Sequence, residues 1–419
     1  MKVQGPNRVY QDLKSFILIC KCLGMAPFTV RTTDQTGAKQ LDTSIKRNLF
    51  GLICTLLVSG IMIFGITDII KHLNPHSKFS AVDYVNKYFC FPMLFLMPLL
   101  AQVFNSTINK SKIRKLLKIF SNIDYEVQRL RTRPAFHDSK INKFLSHFDE
   151  IIFISIVINY MIYDFVIVGN RFTALSAWPH RIAEIANIAL LLQYCKFVKF
   201  IWQRLSEFCE IVSQYFEVDA PDVEKQKLYI FQISKIHPTR EVEKLHDVTE
   251  MLISLRRMYR QIYETVELLN LIYGFVIFLE ITTNFAVIIT NVSTIVKQNT
   301  NTNTNTFPRF PHFLHAPERK PLLAHCSWLF MSSLVQTIMI VLCEITIWKS
   351  KKLGTAVFKM SFNRSLEIET LQQLELLLNQ IYNDSFDFTA FWLLSLNSNL
   401  LCTIFASSVT FALVLSQLT

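Results

Sequence analysis

The stretch LFGLICTLLVSGIMIFGITDII, residues 49–70, decides the fold of this protein. It carries a single charged residue, Asp68, close to its end. A helix needs about 20 mostly apolar residues to cross the hydrocarbon core of a bilayer. This stretch therefore predicts a membrane-spanning helix, and the same pattern recurs along the chain.

The composition of the whole chain agrees with a helical membrane protein. Hydrophobic residues make up 51% of the 419 residues and charged residues 18%, whereas average soluble chains carry about 25% charged residues. Phenylalanine is frequent, with 35 residues, and glycine is scarce, with 9. Because a turn-rich β protein needs more glycine, we expect an all-α membrane protein.

Seven segments have the length and apolar composition of a spanning helix. They are residues 49–70, 84–104, 151–168, 182–202, 271–296, 322–348 and 396–419. The fourth is the weakest, because Glu184, Lys196 and Lys199 interrupt it, and its end is expected to run on into the cell. We therefore predict seven transmembrane helices.

The distribution of Lys and Arg sets the direction of these helices. Eight basic residues precede the first segment and ten lie between residues 110 and 143, but only two lie between the first and second segments. Basic residues concentrate in cytoplasmic connections. We therefore expect a cytoplasmic N-terminus and an extracellular C-terminus, and we attribute most of the net charge of +11 to this bias rather than to a nucleic-acid surface.

The chain divides accordingly into six parts. These are a cytoplasmic N-terminal segment (1–48), helices one to four (49–202), a cytoplasmic helical extension (203–270), helices five and six with a disordered outer loop at 297–321 (271–348), a cytoplasmic segment (349–395) and the seventh helix (396–419). In the extension, one helical face is apolar, with Leu245, Val248, Leu252, Leu255, Met258, Ile262, Val266 and Leu269. That face packs either within one subunit or against a neighbouring subunit. The N-terminal helix near Phe16 lies either on the membrane surface or buried against the protein.

The cysteines and histidines do not form a reactive pattern. The nine cysteines have no paired zinc spacing and no disulfide framework, so we interpret them as small buried apolar residues. His312, His315, His325 and Cys326 share the outer loop region, but no acidic ligand accompanies them. We expect no metal, no cofactor and no enzymatic activity.

The seventh segment carries a polar stripe. Thr403, Ser407, Thr410, Val414 and Gln417 recur every three or four residues, with apolar residues between them. Polar groups are costly against lipid, so this stripe faces protein or water. Helix packing explains the small Ser and Thr residues, whereas the amide of Gln417 favours a water-filled pore lined by identical subunits.

The end of the chain also resembles a known family. TFALVLSQL, residues 410–418, is similar to the signature that closes insect gustatory receptors, with Thr410 and Gln417 matched, Phe411 in place of Tyr and Leu418 in place of Phe. KCLGMAPF near the N-terminus and LLNLIYGF before the fifth segment also resemble the family. The resemblance implies a homotetrameric, ligand-gated, non-selective cation channel of the plasma membrane. In it, four copies of the last helix form the pore, and Gln417 and Leu418 form the gate.

Polar residues within the segments are candidates for a ligand site. Besides Glu184, Gln193, Thr282 and Thr283, the candidates are Asp164, Tyr160, Asn187, Glu280, Asn284, His325, Trp328 and Gln336. Carboxylates, amides and an aromatic ring suit a hydroxyl-rich tastant such as a sugar, or a bitter compound, bound in the outer half of the bundle. Asp164 and Trp328 resemble positions in the fructose-receptor branch. The alternative is that each group makes a structural hydrogen bond between helices. Glu344 and Asp68 lie near the ends of their segments, and we expect them to extend to the membrane surface or to pair with a nearby lysine.

Other classes of membrane protein fit less well. A G-protein-coupled receptor is disfavoured by the reversed orientation and by the missing Asp-Arg-Tyr and Asn-Pro-x-x-Tyr motifs. A transporter would show an internal repeat or paired broken helices. An odorant receptor of the same superfamily is the main alternative to a gustatory receptor.

Overall fold

The computed structural model describes residues 8–25, 29–32, 39–42, 49–71, 86–130, 148–163, 178–216, 238–300, 320–361 and 368–417. These residues are mostly helical. The helices are α1 (Arg8–Cys22), α2 (Leu49–Lys71), α3 (Phe91–Ser106), α4 (Lys110–Leu130), α5 (Phe148–Tyr163), α6 (Trp178–Phe216), α7 (Pro238–Thr300), α8 (Lys320–Ser361), α9 (Ile368–Asn383) and α10 (Ser398–Gln417). A π-helical turn, Asn86–Cys90, leads into α3.

Two short antiparallel hairpins interrupt the helices, so the all-α expectation was incomplete. Strand β1 (Thr29–Thr32) pairs with β2 (Lys39–Asp42), and β3 (Thr389–Ala390) pairs with β4 (Leu394–Ser395). The strands are only two to four residues long. Such short runs are too brief for apolar alternation to distinguish them from loops.

Five helices contain stretches that are long and apolar enough to cross a membrane. These stretches are Leu49–Thr67, Tyr88–Asn105, Arg181–Val212, Val248–Ser293 and Ser333–Ser361. Helix α10 contains a shorter apolar stretch, Ser398–Phe411. The third predicted segment corresponds to α5, which is described only to Tyr163. The chain is therefore a multi-pass helical protein, and the number seven stays a prediction.

Helix α2 shows the surface expected of a helix in lipid. Leu52, Leu56, Leu57 and Phe64 are large apolar side chains, and all are exposed. Exposing so many in water would be costly. Their exposure is therefore consistent with a hydrocarbon environment.

The core of the bundle is built around α6, α7 and α8. Helix α7 is 63 residues long and runs without interruption through position 270, where the apolar stretch of the fifth predicted segment begins. On the face predicted from the sequence, Val248 is half-buried, the side chain of Leu245 lies outside the described residues, and the other six are buried: Leu252, Leu255, Met258, Ile262, Val266 and Leu269. Because this burial occurs in a single chain, the face packs within one subunit.

Charged residues inside α6 are paired with neighbouring helices and with one another. The Lys196 ammonium lies 3.1 Å from the Glu150 carboxylate of α5, and the Arg204 guanidinium contacts both Asp124 of α4 and Glu207. Buried charges are tolerated only with such partners. These pairs explain how a helix interrupted by charges has, over Arg181–Val212, the largest buried share of the five apolar stretches among the described residues.

The N-terminal helix α1 packs against the same chain. Leu13, Phe16 and Cys20 are buried, and α1 contacts α2, α4 and α6. The Lys196 ammonium lies over the Phe16 ring, 5.9 Å from its centroid. The apolar face of α1 is therefore buried against the protein, which was one of the two alternatives, and does not lie on the membrane surface.

Eight cysteines fall among the described side chains, and all are free thiols. Cys20, Cys90, Cys195 and Cys343 are buried, and Cys54 and Cys209 are half-buried. The expectation of burial was wrong for Cys22 and Cys402, which are exposed because they lie on the outer faces of α1 and α10. The side chain of Cys326 lies outside the described residues.

Candidate functional site

Aromatic contacts fix the relative depth of α6 and α7. The rings of Tyr194 and Tyr273 are 5.8 Å apart, and the rings of Phe208 and Tyr259 are 6.5 Å apart. The residue numbers rise along α6 as they fall along α7, so the two helices are antiparallel. Asn187 precedes Tyr194 by two turns of α6, which brings it level with Glu280 on α7.

Helix α8 joins the same layer. The Tyr194 hydroxyl lies 3.7 Å from the Cys343 sulfur, and the Tyr259 hydroxyl lies 3.2 Å from the Ser350 hydroxyl. These contacts make α8 antiparallel to α7 and parallel to α6. Two turns before Cys343 stands Gln336, which is therefore level with Asn187 and Glu280. These three predicted residues therefore lie at one depth of the bundle.

We call Asn187, Glu280, Asn284 and Gln336 the polar layer, and all four residues are buried. Asn187 donates from Nδ2 to the backbone oxygen of Leu94 at 3.0 Å. Asn284 donates from Nδ2 to Glu280 Oε1 at 3.3 Å. These two hydrogen bonds are structural, which agrees with the alternative interpretation that the polar residues bond within the protein.

The rest of the capacity in the polar layer is unused. Asn187 Oδ1, Glu280 Oε2 and Gln336 Nε2 have no hydrogen-bond partner among the described residues. A buried polar group without a partner costs about 1–3 kcal/mol. Two acceptors and one donor at one depth can therefore be satisfied by a small polar molecule or by water.

Other polar candidates are already engaged or lie at other depths. Arg181 pairs with Glu184 at 2.8 Å, and Thr283 donates weakly to the sulfur of Met97 at 4.0 Å. Gln193 is buried with Oε1 unpartnered in the described part of the chain, nearer the level of Tyr194. Sequence reasoning missed Ser333, whose hydroxyl also lacks a described partner. Its spacing of three residues from Gln336 on α8 was the available signal.

Four predicted ligand residues cannot be compared with this layer. Asp164 lies outside the described residues. Tyr160 belongs to α5, and His325 and Trp328 belong to α8, but their side chains are outside those described. Their roles stay predictions. Within the described residues, no group of three or more His, Cys, Asp or Glu side chains is arranged to hold a metal ion.

The predicted polar stripe lies away from the packed face of α10. Ile404 and Ser408 are buried where α10 contacts α7 and α8. Thr403, Thr410 and Val414 are exposed, and Ser407 is half-exposed. The hydroxyl groups of Thr403 and Thr410 donate to backbone oxygens of α10 itself. The stripe is thus free to face a pore or another subunit.

Phe405 of α10 lies off the polar stripe and is 43% exposed in the single chain. The side chain of Gln417 and the whole of Leu418 lie outside the described residues. The predicted gate therefore stays a prediction.

The N-terminal end of α10 is bonded to α8. Glu344 Oε2 accepts a hydrogen bond from the backbone N–H of Ser398 at 3.1 Å, and Asn397 Oδ1 accepts one from the N–H of Leu400 at 3.1 Å. These oxygens satisfy free N–H groups at the helix start. We expected Glu344 to extend to the membrane surface or pair with a lysine. Instead, Glu344 caps α10, because the chain that leads into α10 passes next to Glu344 on α8.

The hairpin before α10 is bonded to α7. Asn270 donates from Nδ2 to the backbone oxygen of Asp387 at 2.8 Å, and Asn270 Oδ1 accepts from the N–H of Thr389 at 3.1 Å. The Tyr259 hydroxyl donates to the backbone oxygen of Asp384 at 3.1 Å, and the Phe386 ring stacks on the Tyr259 ring. The segment leading to α10 is therefore held along two turns of α7 or more.

Comparison with known proteins identifies the class of this fold. The sequence matches the model of the 7tm chemosensory receptor family over residues 13–418. The chain belongs to this family, which confirms the family expected from the resemblance at the level of a chemosensory receptor. No curated protein matches the sequence.

Two solved structures share the fold. The insect olfactory receptor OR5 from Machilis hrabei matches with a TM-score of 0.64 and 12% sequence identity, covering 99% of this chain and 100% of that chain. The same receptor in complex with eugenol matches with a TM-score of 0.61, the same identity and the same coverage. At this identity the similarity concerns the fold alone.

Proposed function

We propose that this protein is a gustatory receptor that acts as a tastant-gated, non-selective cation channel in the plasma membrane. The observation that carries the proposal is the polar layer, with three buried atoms at one depth of the bundle that have no hydrogen-bond partner among the described residues. A membrane receptor for small molecules needs such a site. An olfactory receptor of the same family is the second candidate.

The ligand proposed for the polar layer is a small molecule with several hydroxyl groups. Asn187 Oδ1 and Glu280 Oε2 would accept hydrogen bonds from it, and Gln336 Nε2 would donate one. A sugar such as fructose meets this requirement, and a polar bitter compound can meet it too. The complex of Machilis hrabei OR5 with eugenol supports a small-molecule ligand for the fold.

The proposed pore uses α10 from four copies of the chain. Thr403, Ser407, Thr410 and Val414 would line it, and Gln417 with Leu418 would form the narrow gate near the outer mouth. Permeant cations would pass through this pore. The exposure of Thr403 and Thr410 supports this arrangement, because a pore-lining face must be left unpacked by its own subunit.

The experiment that tests the proposal is to express the chain alone and record currents while sugars, bitter compounds and odorants are applied. We expect a sugar or a bitter compound to evoke a cation current. Gln336→Leu removes a donor but retains the volume, so the concentration for half-maximal current should rise about two- to twelvefold, as expected for the loss of one hydrogen bond of about 0.5–1.5 kcal/mol.

The matched control is Gln372→Leu, which changes an exposed amide on α9 outside the polar layer. Its response should equal that of the unaltered protein. A response only to odorants would favour the olfactory alternative, and uptake of a compound without current would favour a transporter. An unchanged dose–response curve for Gln336→Leu, at normal surface expression, would leave the polar layer with a structural role only.

A further inference from the structure

The turn between β3 and β4 presents large apolar side chains at the foot of α10. Phe391, Trp392 and Leu393 are 41%, 65% and 66% exposed. Burying residues of this type is worth several kcal/mol in total, about 1.5–3 kcal/mol for each aliphatic or Phe side chain. Three consecutive exposed residues of this type therefore indicate a surface that does not face water.

The backbone of this turn is unusual. Phe391 and Trp392 both have φ near 54°, and a bulky residue in this left-handed region is an outlier. Backbone outliers of this kind persist only where the surrounding structure holds them. The two residues form the tip of the hairpin, with Ala390 paired to Leu394 beneath them.

Among the described residues, one side of the turn is packed against α7 and the other side is exposed. The Phe391 ring packs against the Phe275 ring of α7, 5.3 Å between centroids. Gly274 lets the backbone approach α7, since a Cβ there would lie 2.9 Å from the nitrogen of Phe391. Trp392 and Leu393 therefore project from a fixed base.

Two independent markers give the depth of the turn in the membrane. On α7, Asn270 bonds the hairpin at the point where the apolar stretch begins, after the acidic residues Glu264 and Glu267. On α8, Glu344 bonds the start of α10 one turn before the apolar stretch ends at Trp348. Lys349, Lys351 and Lys352 follow at once. Both markers place the hairpin in the layer between hydrocarbon and water.

A second exposed tryptophan lies at the same level. Trp348 is 60% exposed, and the Lys352 ammonium lies over its ring, 5.6 Å from the centroid. Trp side chains flanked by Lys are typical of the headgroup region, where the ring sits among headgroups and the ammonium reaches phosphate.

We propose that the Phe391–Trp392–Leu393 turn is a membrane-surface anchor. Trp392 and Leu393 insert among the lipid headgroups and the first acyl carbons on the side of the membrane where Lys349, Lys351 and Lys352 lie. With Trp348 they hold the N-terminal end of α10 at a fixed depth.

The composition of this surface favours lipid over a second copy of the chain. Three apolar residues lie beside an exposed Trp348 and the lysines that follow it, and this is the composition of an interfacial belt. The proposal requires only that the protein spans a membrane, so it stands independently of the proposed channel function.

The test measures the contact of residue 393 with lipid. In a protein whose exposed Cys22 and Cys402 are replaced by serine, Leu393→Cys is labelled with bimane and placed in nanodiscs with or without acyl-brominated phosphatidylcholine. We expect brominated lipid to quench this label. The control label on Glu375→Cys, at an exposed position of α9, should keep its fluorescence.

Two outcomes would overturn the proposal. One is quenching at position 393 no greater than at position 375, and the other is oxidative cross-linking of Leu393→Cys into dimers, which would identify a second copy as the partner. Trp392→Phe gives a reading without a label. It should lower the fraction of tryptophan fluorescence that brominated lipid quenches, and an unchanged fraction would contradict the anchor.

Discussion

At the scale of single residues, Gly274 illustrates how a missing side chain positions a distant segment. A methyl group added there would lie 2.9 Å from the nitrogen of Phe391 and 3.4 Å from the oxygen of Thr389, both backbone atoms. Gly274→Ala should therefore displace the hairpin and destabilise the protein by about 1–3 kcal/mol, as overpacking does. Thermal unfolding of the purified protein in detergent measures the change.

Gly60→Ala is the matched control for this substitution. Gly60 also lies within an apolar helix, α2, but nothing lies within 4 Å of an added Cβ. The change should be neutral or stabilise the protein by about 0.5–1 kcal/mol, because alanine favours a helix over glycine. Equal melting temperatures for the two variants would show that the hairpin does not depend on the close approach at Gly274.

The residues of the polar layer could be predicted from the sequence, but their grouping could not. Asn187, Glu280 and Gln336 stand out because amides and carboxylates are rare in apolar segments. Their common depth depends on contacts such as Tyr194 with Cys343, which no periodicity reveals. Glu344 was misjudged for a similar reason, since its partner is a backbone N–H 54 residues away.

At the scale of elements, the helices were predictable to the extent that one face is apolar. The face from Leu252 to Leu269 was predicted correctly because helical spacing and burial coincide there. The β3–β4 hairpin could not be predicted, because its left-handed residues are Phe391 and Trp392. Turns are predicted from residues such as Gly, Asn and Asp, and a pair of aromatic residues does not indicate a turn.

The last helix forms the pore in the proposed channel, and the proposed gate lies at its end. In the proposed channel, four Leu418 side chains close the pore by excluding water. A fully buried leucine is worth roughly 1.5–3 kcal/mol, and about 5.5 kcal/mol moves an equilibrium from 1:99 to 99:1. Leu418→Ala should therefore give current without ligand, whereas Gln417→Ala should chiefly change conductance or ion preference. Single-channel recording measures both.

Phe405→Ala is the comparison for these variants. We propose that Phe405 lies on the face of α10 that packs in the assembly. Its loss should therefore lower the fraction of assembled channels and leave the closed state of the remaining channels unchanged. If all three substitutions merely reduce surface expression, the polar stripe serves helix packing. Silence of Leu418→Ala without ligand, at normal surface levels, would remove Leu418 from the gate.

At the scale of the whole molecule, the bias of Lys and Arg predicts opposite sides for the two termini. Seven spans with a cytoplasmic N-terminus place the C-terminus outside. A tag after Thr419 should stain on intact cells, and a tag before Met1 should stain only after permeabilisation. The same tag within residues 301–306, in the predicted outer loop, is the positive control. Staining of the C-terminal tag only in permeabilised cells would contradict an odd number of spans.

The unbroken length of α7 has a consequence for how a response could be tuned. A helix of 63 residues extends over about 95 Å, so one continuous helix carries Glu280 of the polar layer and, nearer its other end, Tyr259, which holds the segment that leads to α10. If this helix tilts as a unit, its two ends move in opposite directions. A molecule that binds near Tyr259 more tightly in one conformation then changes the affinity of the protein for tastant. Because coupling is reciprocal, tastant changes the affinity for that molecule by the same factor. In the proposed receptor, the threshold of taste is thus adjustable by partners that never meet the tastant.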